Sequence, residues 1–306
     1  MDAIDKGILF TLLHNCRVTF EELARDHKIT ANAIKRRVAK LHKSGVIYQF
    51  IIRLSWKMVD AHPLIIFVYS DRSYDDEGFM NHIGAHPMVS RVRFDSFGSS
   101  VVTAAYRDGN DIYQLSEYLQ NLEGVNDIEI HTIPADRGEQ IKFTRPQYRV
   151  MTQLAKDPRM PISLIASQSG LSAKRVSKTI NELENSKSLL FTIDIDPAAG
   201  AGNFLAFRII YQPKVTNPKA IISSLEEEFH DKIWDEWHSA SQNRLWINCV
   251  LDNVREAEPI AKRLRMMAGV EIENTIVPYP ARYFPNYRDD RLQELLQESG
   301  VLKISK

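Results

Sequence analysis

The sequence predicts an α+β protein in which two kinds of small domain alternate, each kind present twice. Three observations lead to this prediction: internal repetition along the 306 residues, helical periodicity in one part of each repeat, and alternating strands and helices in the other. Residues 17–24 have a counterpart at residues 159–166. The same offset keeps apolar residues aligned with apolar residues, and capping residues with capping residues, from the first helix through the third.

The first 60 residues predict three short helices and a strand. Apolar spacing after Asp5 indicates the first helix, Thr19 with a glutamate three residues later forms a capping box for the second, and Thr30 caps the third. Gly45 is placed to end the third helix, and residues 46–52 predict a strand of a hairpin. This order is typical of a winged helix-turn-helix, whose third helix enters the major groove of DNA.

The next segment predicts the order β-α-β-β-α-β of a ferredoxin-like domain, with its first helix over residues 74–85. The second half of the chain repeats both patterns, and a terminal helix near residues 289–298 has no counterpart in the first half. The predicted domains are a winged helix-turn-helix at 1–60, a ferredoxin-like domain at 61–138, a second winged helix-turn-helix at 139–197, and a second ferredoxin-like domain with the terminal helix at 198–306.

The net charge of zero hides an uneven distribution. The four predicted domains carry formal charges of +5, −7, +3 and −1 in chain order. Between His27 and Val59 there are eight lysines and arginines and no acidic residue. A solvated helix face usually mixes both signs, whereas a face of one sign is compensated by phosphates. The uncompensated positive charge of the first winged domain therefore predicts a surface that binds nucleic acid. The alternative is a basic helix face that is exposed to solvent and binds nothing.

The third helix supplies the candidate DNA contacts, since its apolar positions must face the core and its basic positions must face outward. In the second winged domain the corresponding helix begins after Ser172 and becomes acidic at Glu182 and Glu184, so a degenerate copy kept for packing remains an alternative there. The predicted DNA-binding residues are Thr30, Asn32, Ala33, Lys35, Arg36, Arg37, Lys40 and Lys43 in the first copy, and Ser172, Lys174, Arg175, Ser177 and Lys178 in the second.

Residues 4–9, 17–24, 30–38 and 41–47 resemble the N-terminal domain of the Lrp/AsnC family of transcriptional regulators, and the segment after them is similar to that family's RAM domain. The resemblance implies sequence-specific binding to double-stranded DNA, an intramolecular pseudo-dimer in the tandem chain, further homodimerisation, and a small-molecule effector such as an amino acid. It places Asn32 where it could contact adenine, and lysines and arginines on phosphates or guanine edges.

The turn after the second RAM strand departs from the family pattern, because Gly98 is followed by Ser99 and Ser100 rather than by an acid. Gly98 and Ser99 are the candidate effector contacts. A tight turn between two strands explains Gly98 equally well.

Other functional classes find little support. Cys16 and Cys249 are too few for a disulfide framework and are expected to be buried, and the histidines form no complete metal-ligand set. No run of 18 apolar residues predicts a membrane helix, and the acidic beginning of the sequence does not resemble a signal peptide. We expect a cytoplasmic, non-enzymatic protein without cofactor, metal or catalytic residues.

Two alternatives remain open. Sirohaem decarboxylases share this architecture; residues 243–247 loosely resemble one of their strands, and His238 could serve a tetrapyrrole. Their loss of the basic groove helix argues against this alternative, because Lys35, Arg36 and Arg37 are present here. The second alternative is an interaction module without DNA, against which the basic helix also argues.

Overall fold

A computed structural model describes residues 1–71, 77–200 and 203–300. These residues form two compact units, each assembled from separate stretches of the chain. The winged-helix unit contains residues 4–61, 136–195 and 285–300, and the ferredoxin-like unit contains residues 1–3, 62–135 and 196–284. Each unit therefore contains both copies of one kind of domain, one copy from each half of the chain.

The first quarter of the chain has the predicted order of helices, and its capping residues act as expected. The Thr19 hydroxyl accepts a hydrogen bond from the Glu22 amide at 3.2 Å, and the Glu22 carboxylate accepts one from the Thr19 amide at 2.8 Å. Gly45 has the predicted left-handed backbone with φ of 81°. The elements are α1 (Ala3–His14), α2 (Phe20–Asp26), α3 (Ala31–Lys43) and β1 (Ile47–Leu54).

The following segment confirms the predicted βαββαβ order. The first strand of this domain is an inner strand of its sheet and lies between the third and fourth strands of the domain, as in a ferredoxin-like fold. The predicted beginning of the first helix, at Tyr74, lies outside the described residues. The elements are β2 (His62–Ser70), α4 (Glu77–Gly84), β3 (Val89–Phe94), β4 (Ser99–Tyr106), α5 (Gly109–Gln120) and β5 (Val125–Thr132).

The second half repeats both patterns. Where the first copy has Gly45, the second has Lys187, which adopts the same left-handed region with φ of 50°. The elements are α6 (Arg145–Leu154), α7 (Ile162–Ser169), α8 (Ala173–Asn185), β6 (Leu189–Ile195), β7 (Asn203–Tyr211), α9 (Pro218–Phe229), β8 (Ile233–His238), β9 (Arg244–Leu251), α10 (Ala257–Met266), β10 (Val270–Ile276), β11 (Arg282–Tyr283) and α11 (Tyr287–Glu298).

The predicted hairpin within each winged domain is wrong. β1 pairs instead with β6, antiparallel from Ile47 opposite Ile195 to Leu54 opposite Leu189, so the two winged domains share one two-stranded sheet. Each copy supplies only one strand, and a strand needs a partner for its backbone groups. The duplication provides that partner about 140 residues along the chain.

Equivalent arginines also join the two winged domains. Arg17 donates to the carbonyl of Pro158, and Arg159 donates to the carbonyl of Cys16, which is the residue equivalent to Pro158 at the repeat offset. The Arg159 guanidinium additionally lies 4.6 Å from the centroid of the Phe20 ring. These reciprocal contacts repeat the same interaction on both sides of an approximate twofold axis.

The terminal helix belongs to the winged-helix unit, although the sequence grouped it with the second ferredoxin-like domain. Its Arg288 is 7% exposed, lies 3.6 Å from the centroid of the Trp56 ring, and donates to the carbonyl of Leu54. Burial, together with the nearby charge of Arg53, lowers the pKa of Arg288 to about 9. The helix thus packs against β1 through a buried arginine, a contact without a clear sequence signal.

The ferredoxin-like unit consists of two antiparallel sheets, ordered β11-β3-β4-β2-β5 and β10-β7-β9-β8. The short strand β11 follows the second domain in the chain but pairs with β3 of the first, with Arg282 opposite Val92. An apolar cluster contains residues from both sheets, among them Phe67, Ala206 and Trp246. The two domains therefore pack sheet against sheet.

Gly138 offers a test of backbone strain in the winged-helix unit. Its φ is +68°, and a Cβ built there lies 2.3 Å from the carbonyl oxygen of Lys187. We expect Gly138→Ala to lower the free energy of unfolding by more than about 1 kcal/mol, because alanine is disfavoured at positive φ and the backbone must also shift. The measurement is chemical unfolding.

The control for this prediction is Gly109→Ala, in the first turn of α5. A Cβ at Gly109 meets nothing within 4 Å. Alanine should leave stability unchanged or raise it slightly. Equal destabilisation by both substitutions would contradict the proposed strain at Gly138.

Candidate nucleic-acid interface

The third helix of the first winged domain has two distinct faces. Ile34, Val38 and Leu41 are buried and fix the helix against the core. The N-cap Thr30 accepts a hydrogen bond from the Ala33 amide at 3.2 Å, which sets the first turn. Because buried residues recur at intervals of three and four, the remaining positions face outward.

The outward positions form a basic stripe along α3. Asn32, Arg36, Lys40 and Lys43 follow one another at helical spacing, so their side chains lie on one face, with Lys35 beside them. All five are exposed. We call these five residues the α3 basic face. Thr30, also exposed, stands at its N-terminal end, and Ala33 is half-buried.

Arg37 does not share this face. Its guanidinium donates to the carboxylate of Asp5 on α1 at 2.7 Å, and its side chain is 31% exposed. Arg53 likewise makes a two-bond ion pair with Asp194, at 2.9 and 3.0 Å. These two arginines stabilise the winged-helix unit, while the lysines of the acid-free stretch remain on its surface.

Substitutions of Arg37 and of its neighbour Arg36 should have different effects on the stability of the protein. We expect Arg37→Ala to destabilise the protein by about 1 kcal/mol, because a partly buried ion pair between α3 and α1 is lost. Arg36→Ala should leave stability unchanged, since Arg36 is exposed. Thermal unfolding of both variants checks this, and equal melting temperatures would contradict it.

The third helix of the second winged domain is built in the same way but carries a different surface. Ser172 caps it by accepting from the Arg175 amide at 3.2 Å, and Val176, Ile180 and Leu183 are among its buried residues. Lys174 and Lys178 are exposed, whereas Arg175 and Ser177 are half-buried.

One carboxylate interrupts the basic stripe of α8. At the repeat offset, the position of Lys40 is occupied by Glu182, and that of Lys43 by Asn185. Glu182 lies 3.9 Å from Lys178 and compensates part of its charge. The positive surface of α8 is therefore limited to its first turns, and α3 is the stronger candidate for contact with phosphates.

The candidate effector residues take part in a turn. Gly98 has φ of 82°, and its amide donates to the Asp95 carbonyl at 3.1 Å. Ser99 is 2% exposed; its amide donates to Asp95 at 3.0 Å, and its hydroxyl also donates to that carboxylate. The hydroxyl of Ser99 is thus used within the turn, which favours the structural interpretation. Effector binding here stays a prediction.

Other candidates from the sequence can also be placed. Cys16 and Cys249 are buried as predicted, and burial raises the pKa of Cys16 to about 12. In the described ranges no group of three or more His, Cys, Asp or Glu side chains could hold a metal ion. None of the helices in this part of the chain has the length and apolar character of a membrane span. Trp237 and Trp246 stack with ring centroids 3.8 Å apart, between the two sheets.

Comparisons with known proteins agree with this geometry. The family model of the AsnC-type helix-turn-helix domain matches residues 1–42, and that of a winged helix-turn-helix DNA-binding domain matches residues 145–186. An uncharacterized HTH-type transcriptional regulator from Pyrococcus horikoshii is 25% identical over 135 residues, which are 44% of this chain and 90% of the relative. A second such regulator from that organism is 47% identical over 47 residues, 15% of this chain and 30% of the relative.

Among solved structures, the siroheme decarboxylase NirDL has a TM-score of 0.54 and 14% sequence identity, covering 97% of this chain and 99% of that one. At this identity the likeness shows the tandem fold alone. It extends over both repeats, whereas the regulator from P. horikoshii that matches over 135 residues corresponds to less than half of this chain.

Two helix-turn-helix domains, one with a basic third helix, define the class: this is a DNA-binding transcriptional regulator and not an enzyme. Within that class, the chain is similar to regulators of the Lrp/AsnC type in a tandem arrangement, with both parts of the repeat present twice.

Proposed function

We propose that the chain binds double-stranded DNA sequence-specifically by placing the α3 basic face in a major groove. The observation that carries this proposal is the combination of four exposed cations, Lys35, Arg36, Lys40 and Lys43, on a helix whose opposite side is buried. Phosphates of the groove walls would compensate the charge, and Asn32, near the N-terminal end, is suited to adenine.

The two winged domains would contact unlike half-sites. Lys40 and Lys43 in α3 correspond to Glu182 and Asn185 in α8, so the two helices present different charges and different hydrogen-bonding groups to DNA. A pair of identical recognition helices favours a palindrome, because the DNA site mirrors the protein's symmetry. Here the preferred site would be asymmetric, with the stronger half-site under α3. The contacts of α8 would come from Lys174, Arg175 and Lys178, with Ser172 and Ser177 beside them.

The test is selection of bound sequences from a pool of randomised duplexes, using the intact protein and the variant Lys174→Ala with Arg175→Ala. We expect one asymmetric motif, whose weaker half loses information in the variant. A palindromic motif, or no enrichment over the starting pool, would overturn the proposal.

A small-molecule effector and further homodimerisation belong to the same proposal. A neighbouring fold, a transcriptional regulator from Neisseria meningitidis, was solved as a complex with L-Met. Adding amino acids one at a time to the DNA-bound protein would reveal an effector as a change in affinity. Adding an iron tetrapyrrole instead tests the enzyme alternative, since a Soret absorbance band would favour it.

A further inference from the structure

The faces that meet between the two sheets of the ferredoxin-like unit are not alike, although the domains are repeats. The central strands β2 and β7 are both nine residues long. Phe67 of β2 lies opposite Val101, and Arg208 of β7 lies opposite Trp246. Phe67 and Arg208 are therefore equivalent positions, one aromatic and one cationic.

Strand register identifies further unlike equivalents on the same faces. Glu129 lies opposite Phe67, and Asn274 opposite Arg208, so a carboxylate in the first domain corresponds to an amide in the second. Arg91 lies opposite Thr103, as Asp235 lies opposite Asn248, so these equivalents carry opposite charges. At each of these pairs of equivalent positions, the face of one domain therefore holds a side chain of a different charge or type from the face of the other domain.

The unlike groups compensate one another across the interface. Arg208, 4% exposed, donates to the Glu129 carboxylate and, at 3.1 Å, to the Tyr69 hydroxyl of the other sheet. Arg244 lies 2.8 Å from Glu129. The Glu129 carboxylate therefore holds two arginines of the second domain, and each of these arginines also contacts Glu273.

Aromatic rings complete the same contact. The Arg208 guanidinium lies 4.9 Å from the centroid of the Phe67 ring, and Phe67 stacks on Trp246 at 5.6 Å. On the side related by the approximate twofold, the positions of Glu129 and His131 hold Asn274 and Ile276, next to apolar residues. The ion pairs of Glu129 therefore have no counterpart at the equivalent position, which holds Asn274.

We propose that the two ferredoxin-like domains are complementary to each other and not to themselves, so that this face accepts only the unlike domain as its partner. Two first domains facing one another would bury two Glu129 carboxylates against Phe67, without arginine. Two second domains would bring Arg208 against Asn274, and Glu273 would remain as the one carboxylate beside Arg208 and Arg244. Buried charge that has lost an ion-pair partner destabilises either arrangement.

The consequence for assembly is specific. A second copy of the chain cannot pair through these faces like with like, and any homodimer must use another surface or exchange unlike domains between chains. The duplicated domains have thereby become a fixed pair, which holds the two different winged domains in one molecule.

The experiment uses the intact chain with its faces redesigned. Arg208→Phe with Asn274→Glu gives both domains the first face, and Phe67→Arg with Glu129→Asn gives both the second. Combining all four substitutions exchanges these two positions between the domains, while Arg244 and Glu273 stay in place, and restores an unlike pair. The control is Glu227→Asn, a charge change on the exposed side of α9.

Thermal unfolding distinguishes the outcomes. We expect each like-faced variant to melt about 10 °C or more below the original chain, and the fourfold variant to recover most of this loss. The control should melt with the original chain. The proposal is wrong if the like-faced variants have the same melting temperature as the original chain, or if the melting temperature of the fourfold variant is no higher than theirs.

Discussion

Replacing Arg36, Lys40 and Lys43 together by alanine is expected to weaken binding to duplex DNA by roughly a hundredfold or more at moderate salt, on the basis of about 1–3 kcal/mol per specific contact. These side chains lie on the exposed face of α3, opposite Ile34, Val38 and Leu41. Fluorescence anisotropy with a selected duplex measures the effect.

The matched control substitutes Lys174, Arg175 and Lys178 by alanine on α8. This also removes three positive charges from a recognition helix, but the α8 stripe already contains Glu182. We expect a smaller loss than for α3, with the unfolding temperature nearly unchanged in both variants because most of these side chains are exposed. Equal losses would show that net charge, and not the α3 basic face, determines binding.

Glu129→Ala is expected to produce the largest loss of stability, roughly 2–3 kcal/mol, because buried Arg208 loses its interdomain carboxylate and keeps only Glu273 of its own domain. The side chains of Glu129 and Arg208 are 17% and 5% exposed, so solvent screens their attraction little. Chemical unfolding measures the change, and Glu227→Ala on the exposed side of α9 is the control. A loss no larger than that of the control would contradict the importance of this ion pair.

The same carboxylate gives a pH dependence. Burial acts to raise the pKa of Glu129, but hydrogen bonds from His131 and Arg208 outweigh it and hold the pKa at about 2. A glutamate in the unfolded chain has a pKa of about 4.3. The stabilisation that ionised Glu129 contributes is therefore complete above that pH and is lost as the pH falls toward about 2. Glu129→Gln should flatten the stability profile in this acidic range. A profile identical to that of the original chain would exclude Glu129 as its source.

Local patterns in the sequence were sufficient for most of the helices and strands, although not for the short strand β11. Thr19, Thr30 and Ser172 cap helices as predicted, and the βαββαβ order follows from apolar alternation and turns. The repeat at a constant offset also showed that two kinds of domain alternate. Caps and periodicity depend on neighbours within a few residues, so a single sequence contains them.

Contacts between distant segments could not be predicted in this way. The pairing of β1 with β6 joins residues more than 130 positions apart, and the ion pair between Arg37 and Asp5 joins α3 to α1. Both outcomes depend on which surfaces meet after the helices have formed. The unequal charges of Glu129 and Asn274 were visible in the sequence, but only strand register shows that they are equivalent.

The dependence of DNA affinity on salt tests the central claim most directly. If the α3 basic face contacts phosphates, the logarithm of the association constant should fall linearly with the logarithm of salt concentration, with a slope of about −0.9 for each phosphate neutralised. Substituting Arg36, Lys40 and Lys43 by alanine should make that slope shallower by two to three, at about one per lost contact. A flat dependence for the original chain, or a slope unchanged in the variant, would contradict DNA binding through α3.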